Sequence, residues 1–184
     1  MQSAVIDPPP LSVAAKRGAF EFALQPIAAV FPALDYCLML AHNNMSPYLE
    51  RRGEQFSDDR WRELSPTVEF FLIVECGDNT RNTVGFVGLR NERDAPEALH
   101  VGDVQVEPQH QNRGAGNAVL HHIEALARSR GLTALTLNVF RDNPAISLYL
   151  RFGFQAVNTQ FYKHKMRKAL TPIVQPSSPT VEKL

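Results

Sequence analysis

Residues 111–116 read Gln111, Asn112, Arg113, Gly114, Ala115, Gly116, and they join an apolar extended stretch at 101–106 to a segment with helical periodicity. Two glycines separated by one residue let the backbone turn sharply and approach a ligand closely. A helix that starts at such a turn points unpaired N–H groups and the positive end of its dipole at it. Phosphate or pyrophosphate suits that arrangement. A tight strand-to-helix turn with no ligand is the competing reading. No Lys-Ser or Lys-Thr pair follows the glycines, which disfavours a nucleotide-binding P-loop.

A second segment, residues 143–154, is punctuated at both ends. Asn143 suits an N-cap, Pro144 the first helical position and Gly153 the residue just past the end, so a helix of about ten residues is expected. Within it Ala145, Leu148, Tyr149 and Phe152 recur at helical spacing and put Tyr149 on the inward face. Tyr149 is then either core filler or a proton donor facing a cleft.

The remaining elements follow from period and turn chemistry. A strand is expected at 20–24, a helical region around Leu34, Cys37, Leu38 and Ala41, a short helix at 47–52, and a helical turn at Trp61 after Ser57. Residues 68–75 and 83–90 read as a strand pair about the turn Gly77, Asp78, Asn79. A strand at 99–106, a helix at 114–130 with Val119, Ile123, Leu126 and Ala127 on one stripe, and a strand containing Leu135, Leu137 and Val139 make a crossover unit. Its two strands should be parallel. Residues 155–166 read as two further strands bending near Asn158 and Thr159.

The order of strand, Q-x-x-G-x-G turn, helix, strand and N-x-x-A-x-x-L-Y-x-x-x-G-F resembles the GNAT superfamily of acyl-CoA-dependent N-acyltransferases. The specific resemblance covers residues 98–168, and residues 20–97 are compatible with it. It implies an α/β fold with a central, mixed, largely antiparallel sheet, one parallel splayed strand pair and helices on both faces. It also implies a GNAT domain at 18–169 between flexible tails at 1–17 and 170–184.

The resemblance further implies transfer of an acetyl group from acetyl-CoA to a primary amine by direct attack in a ternary complex. A non-catalytic acyl-CoA-binding sensor on the same fold is the alternative. Backbone groups of Val104 and Val106 would pair with pantetheine. The pyrophosphate would lie on N–H groups of Asn112, Arg113, Gly114, Ala115, Gly116 and Asn117, with Arg113 adding a charge-assisted contact, and Gln111, which matches the first position of the family motif, would belong to the same cofactor-binding set. Asn143 would face the pantetheine or serve only as a cap. Tyr149 would protonate the departing thiolate. Asp103 and His100 are the candidates for deprotonating the amine; strand parity sets them on opposite faces unless a bulge near Gly102 changes the register. Asn44, Tyr48, Trp61 and Phe161 are candidate acceptor contacts, although aromatic residues in such positions commonly pack the core.

Composition bounds the partners. The chain has 184 residues, 44% hydrophobic and 21% charged, with a formal net charge of zero, so neither nucleic acid nor an anionic membrane surface is favoured as a partner. His42, His110, His121, His122 and His164 show no ligand spacing and no metal is expected. Cys37 and Cys76 lie in apolar surroundings and read as buried free thiols in a reducing compartment. Residues 1–10 lack a basic residue followed by an apolar run, and the uncharged stretch at 22–34 is short and broken by Pro26 and Pro32. A cytoplasmic protein is therefore expected, and a homodimer is compatible with the sequence.

Overall fold

The computed structural model describes residues 21–27 and 31–171. Strands β1 (Glu21–Pro26), β2 (Glu69–Cys76), β3 (Arg81–Glu92), β4 (Ala95–Val106), β5 (Ala134–Phe140), β6 (Gln155–Gln160) and β7 (Lys163–Ala169) form one sheet in the order β1-β2-β3-β4-β5-β7-β6. Every neighbouring pair is antiparallel except β4 and β5, which are joined by the crossover helix α3 (Ala115–Ser129) and run parallel. Helix α3 and the short α4 (Ile146–Arg151) cover one face, and α1 (Phe31–Glu50) and α2 (Asp58–Leu64) cover the other.

The α3 stripe explains why that helix docks as it does. Val119, Ile123 and Ala127, four residues apart, have no exposed surface and meet Leu99, Val101, Leu135 and Leu137 from the two parallel strands. Each fully buried large aliphatic side chain there contributes about 1.5–3 kcal/mol relative to exposure. On the opposite face Cys37, Leu40 and Ala41 of α1 pack on Phe70 and Phe86.

Several elements differ in extent from the sequence reading. Residues 31–50 form one helix, where two were expected, and Pro47 sits inside it. Packing overrides the proline: Cys37, Leu40 and Ala41 fix the turns before it, and Tyr48 after it stacks on Phe140 with ring centroids 5.6 Å apart. Arg52, just past the helix, lies over both Phe140 and Tyr162 and pairs with Asp142 at 2.6 Å, so the end of α1 is tied to the end of β5. Strand β1 begins at Glu21 among the described residues, with Phe20 outside them. Leu170, assigned to the C-terminal tail, is buried and its N–H donates to the Thr133 carbonyl. Thr171 is exposed, and residues 1–17 and 172–184 of the two tails lie outside the described residues. Cys37 is buried and free, whereas Cys76 is free but only half-buried.

The irregularity that matters most lies in β4. Gly88 is opposite Asp103 and Leu89 is opposite Val101, which leaves Gly102 as an extra residue. This bulge resets the alternation of the strand. Leu99, Val101, Val104 and Val106 all join the core under α3, while His100, Asp103 and Gln105 turn to the α1 side.

Candidate active site

Strands β4 and β5 are paired only from Ala98 to Val101 and from Ala134 to Leu137. Beyond that both continue, to Val106 and Phe140, without bonding to each other, and a cleft of about 780 Å³ opens between them. The N–H of Glu107 donates to Val84 of β3. By alternation the backbone groups of Val104 and Val106 therefore face the cleft. The Val106 carbonyl is already engaged there, by the side-chain amides of Gln111 at 3.0 Å and Asn44 at 3.2 Å. Among the described residues, no side chain engages the cleft-facing backbone groups of Val104 or the Val106 N–H of β4.

At the wide end of the cleft the glycine turn has the expected form. Asn112 and Gly114 have positive φ, 60° and 93°, and Gly114 is the N-cap of α3. The first hydrogen bond of the helix runs from Ala118 N–H to the Gly114 carbonyl, so the N–H groups of Ala115, Gly116 and Asn117 have no partner within the helix. A Cβ on Gly114 would meet nothing within 4 Å. That residue is required for its backbone conformation, and the space beside it is open to a ligand. Gly116 serves a different need, because its Cβ would lie 2.7 Å from Leu148 Cδ2 of α4. Gln111, Asn112, Gly114, Ala115, Gly116 and Asn117 line the cleft. Arg113 is not among the lining residues, and its guanidinium lies 3.6 Å from Glu75 of β2.

Helix α4 brings Tyr149 to the cleft floor. It is shorter than the sequence suggested, because the first turn after Asn143 is tight: Ile146 and Ser147 donate to carbonyls three residues back, and regular α-helix starts at Ile146. Asn143 still caps, its Oδ1 accepting from the Ala145 N–H at 2.9 Å, and it also lines the cleft. Gly153, at φ 96°, ends the helix as expected. Tyr149 is buried edge-on to Phe154 at 5.8 Å, and its hydroxyl makes no hydrogen bond among the described residues. Burial, then the charge of Asp103, pushes its pKa up to about 12, so the hydroxyl is protonated at neutral pH.

The bulge at Gly102 places both base candidates on the α1 side. Asp103 accepts a hydrogen bond from Gln105 Nε2 at 3.2 Å, and burial raises its carboxyl above the ordinary range despite that bond and the nearby Arg90 charge. His100 is 3% exposed. Its Nδ1 is 2.9 Å from Thr136 Oγ1 and 3.0 Å from Glu92 Oε2, while Thr136 donates to the same Glu92 oxygen at 2.7 Å. With the threonine hydroxyl committed to Glu92, Nδ1 carries the proton of the neutral ring. Burial, reinforced by the Arg90 charge, lowers the His100 pKa, and Glu92 opposes that shift. Glu92, Thr136 and Arg90 were not legible as site residues, because only the strand register brings them to His100.

Asn44, Tyr48 and Trp61 line the α1 side of the same cleft. Phe161 does not. It sits at the turn between β6 and β7 with φ 50°, 93% exposed, because a two-residue connection aims it away from the sheet. Among the described residues no group of three or more His, Cys, Asp and Glu side chains is placed to hold a metal ion, and no helix is long and apolar enough to cross a membrane.

Comparison with known proteins agrees with this geometry. Relatives include N-acetyltransferase 8B of Rattus norvegicus, 24% identical over 137 residues that make up 73% of this chain and 62% of that protein. Streptothricin acetyltransferase of Streptomyces lavendulae is 39% identical over 59 residues, 32% of this chain and 31% of that protein. The chain thus spans less than two thirds of the length of these curated relatives. In fold it is similar to a GNAT family acetyltransferase from Elizabethkingia anophelis solved with acetyl-CoA bound, with a TM-score of 0.61 and 16% identity over 81% of this chain and 98% of that one. The model of the acetyltransferase (GNAT) family matches residues 38–154, well over half of the sequence, and the chain belongs to that family.

Proposed function

We propose that the protein transfers an acetyl group from acetyl-CoA to a primary amine within a ternary complex. The observation that carries this reading is the single cleft in which a splayed strand pair, an open glycine turn, a protonated tyrosine and a half-buried carboxyl group meet. The pyrophosphate binds the N–H groups of Ala115, Gly116 and Asn117, and the pantetheine amides pair with Val104 and the Val106 N–H. The thioester then lies where the strands part, and the amine approaches from the α1 side.

The amine lone pair attacks the thioester carbonyl, a C–N bond forms, and the C–S bond breaks as the tetrahedral intermediate collapses. A backbone N–H beside the bulge stabilises the oxyanion. Asp103 takes the proton from the ammonium. It is the base we assign because it lines the cleft with Tyr149 just past the point where the strands part, whereas His100 Nδ1 is engaged by Thr136 and Glu92. Tyr149 donates its proton to the departing thiolate. His100, fixed by Glu92 and Thr136, is a positioning residue that holds β4 against β5 just below the bulge.

Released CoA thiol, measured over a panel of amines, amino acids and peptides, tests the proposal. Turnover with at least one amine is expected. Tight binding of acetyl-CoA with no turnover on any of them would instead favour a sensor on the same fold.

A further inference from the structure

The α1 side of the cleft carries a charge pattern that acetyl transfer itself does not use. Arg90 of β3 is directly opposite His100, and Gly88, two residues before it, is opposite Asp103. Phe86, Gly88 and Arg90 share one face of β3, and Phe86 packs under α1, so Arg90 projects on the acceptor side. It lines the cleft, yet among the described residues its guanidinium makes no hydrogen bond and lies within 4.0 Å of no carboxylate. Lys163 is a second cation on the same rim, its ammonium 4.5 Å over the Phe140 ring. Glu92 cannot balance them, because Thr136, His100 and Lys165 already engage it. Among the described residues that line the cleft, only Asp103 is acidic.

The passage between Asp103 and Arg90 is kept open by a missing side chain. A Cβ on Gly88 would lie 3.1 Å from Val68 Cγ1 and 3.4 Å from both Asp103 Cβ and Phe70 Cε1, filling the slot beside the carboxylate. Asp103 and Arg90 are diagonal neighbours on adjacent strands, roughly 7–8 Å apart at the backbone, a span that an amino group and a carboxylate on one small molecule can bridge through their hydrogen bonds. A guanidinium offers a planar fork that binds a carboxylate through two parallel hydrogen bonds.

We propose that the acceptor is zwitterionic: an amine received at Asp103 that carries, a few bonds away, a carboxylate bound by Arg90, as in a free amino acid. This rests on the acetyl-transfer reading, and it opposes a polycationic acceptor, which would bring further positive charge against Arg90 and Lys163.

Two readouts test it. Turnover is compared within matched pairs, L-phenylalanine against phenethylamine and L-methionine against its decarboxylated amine, with spermidine as the polycation. Binding of the corresponding N-acetylated products to the CoA-loaded protein is followed by NMR titration, which needs no chemistry. The carboxylated member of each pair is expected to be favoured by about tenfold or more in kcat/KM and in Kd. That ratio should collapse in Arg90→Gln, recover in part in Arg90→Lys, and persist in Arg62→Gln on the exposed face of α2. Equal handling of both members by the wild type, preference for spermidine, or a ratio that survives in folded Arg90→Gln would overturn the inference. Arg90-dependent binding of the N-acetylated amino acids with no turnover on any amine would support the anion site and count against acetyl transfer instead.

Discussion

Replacing Tyr149 by Phe removes one oxygen from the site and nothing else. The ring keeps its place in the core and its edge-on contact with Phe154. The hydroxyl lines the cleft and has no hydrogen-bond partner among the described residues to leave orphaned, so folding stability should be little changed. Acetyl-CoA affinity should also hold, because the turn and strand proposed to bind it are untouched. The rate should not. If the hydroxyl protonates the departing thiolate, kcat falls roughly 10- to 1,000-fold, equivalent to about 1.4–4 kcal/mol of transition-state stabilisation. Single-turnover transfer from saturating acetyl-CoA isolates the chemical step from product release, and thermal unfolding with calorimetric titration covers the other two quantities. Wild-type single-turnover rates in the Phe variant would refute the acid role. A parallel loss of stability and CoA affinity would show that the ring or its hydroxyl is structural.

Gly114→Val should weaken acetyl-CoA binding at least about tenfold, because its side chain enters the open space at the turn. Gly131→Val, at φ 71° and also with nothing within 4 Å of its Cβ, imposes comparable backbone strain of roughly 1–2 kcal/mol away from the cleft and should leave CoA affinity intact. Equal CoA affinity in the two variants would remove the cofactor assignment. Asp103→Asn should abolish the acid limb of the kcat/KM profile, which in the wild type lies above 3.8 because burial raises that carboxyl. The same change should stabilise the fold at neutral pH: the native state holds its proton to higher pH than the unfolded chain, so stability falls as pH rises through that window, and Asn escapes the cost. A less stable Asn variant at pH 7 would contradict this. His100→Gln should lower the melting temperature through the Thr136 and Glu92 contacts while keeping the acid limb, and loss of the limb would transfer the base role to His100.

What could be read from the sequence was what short-range pattern encodes. The glycine turn, the α3 stripe and Tyr149 on the inner face of its helix each depend on residues within a few positions of one another, and φ preference or helical period fixes them locally. Arg90, Glu92 and Thr136 carry no such mark. Their relation to His100 is created by the pairing of β3 with β4 and of β4 with β5, and register is a property of the assembled sheet. Phe161 failed for the same reason: an aromatic in a late strand looks like a pocket wall until the hairpin geometry puts it at the tip. Pro47 misled in the other direction, since a local breaker was outvoted by packing on both sides of it.

The bulge at Gly102 joins these two levels. Without it Asp103 would face the α3 core with Val101, and a carboxylate in that apolar layer would carry an unpaired charge. The extra residue instead returns Val104 and Val106 to the core while Asp103 joins His100 on the open side, so one insertion satisfies packing and chemistry together. It also explains where β4 and β5 part. Their pairing ends at Val101, one residue before the bulge, and a strand that bends there cannot keep step with a straight neighbour. The cleft proposed for the thioester and the face proposed for the amine therefore have a common origin, where the ladder breaks.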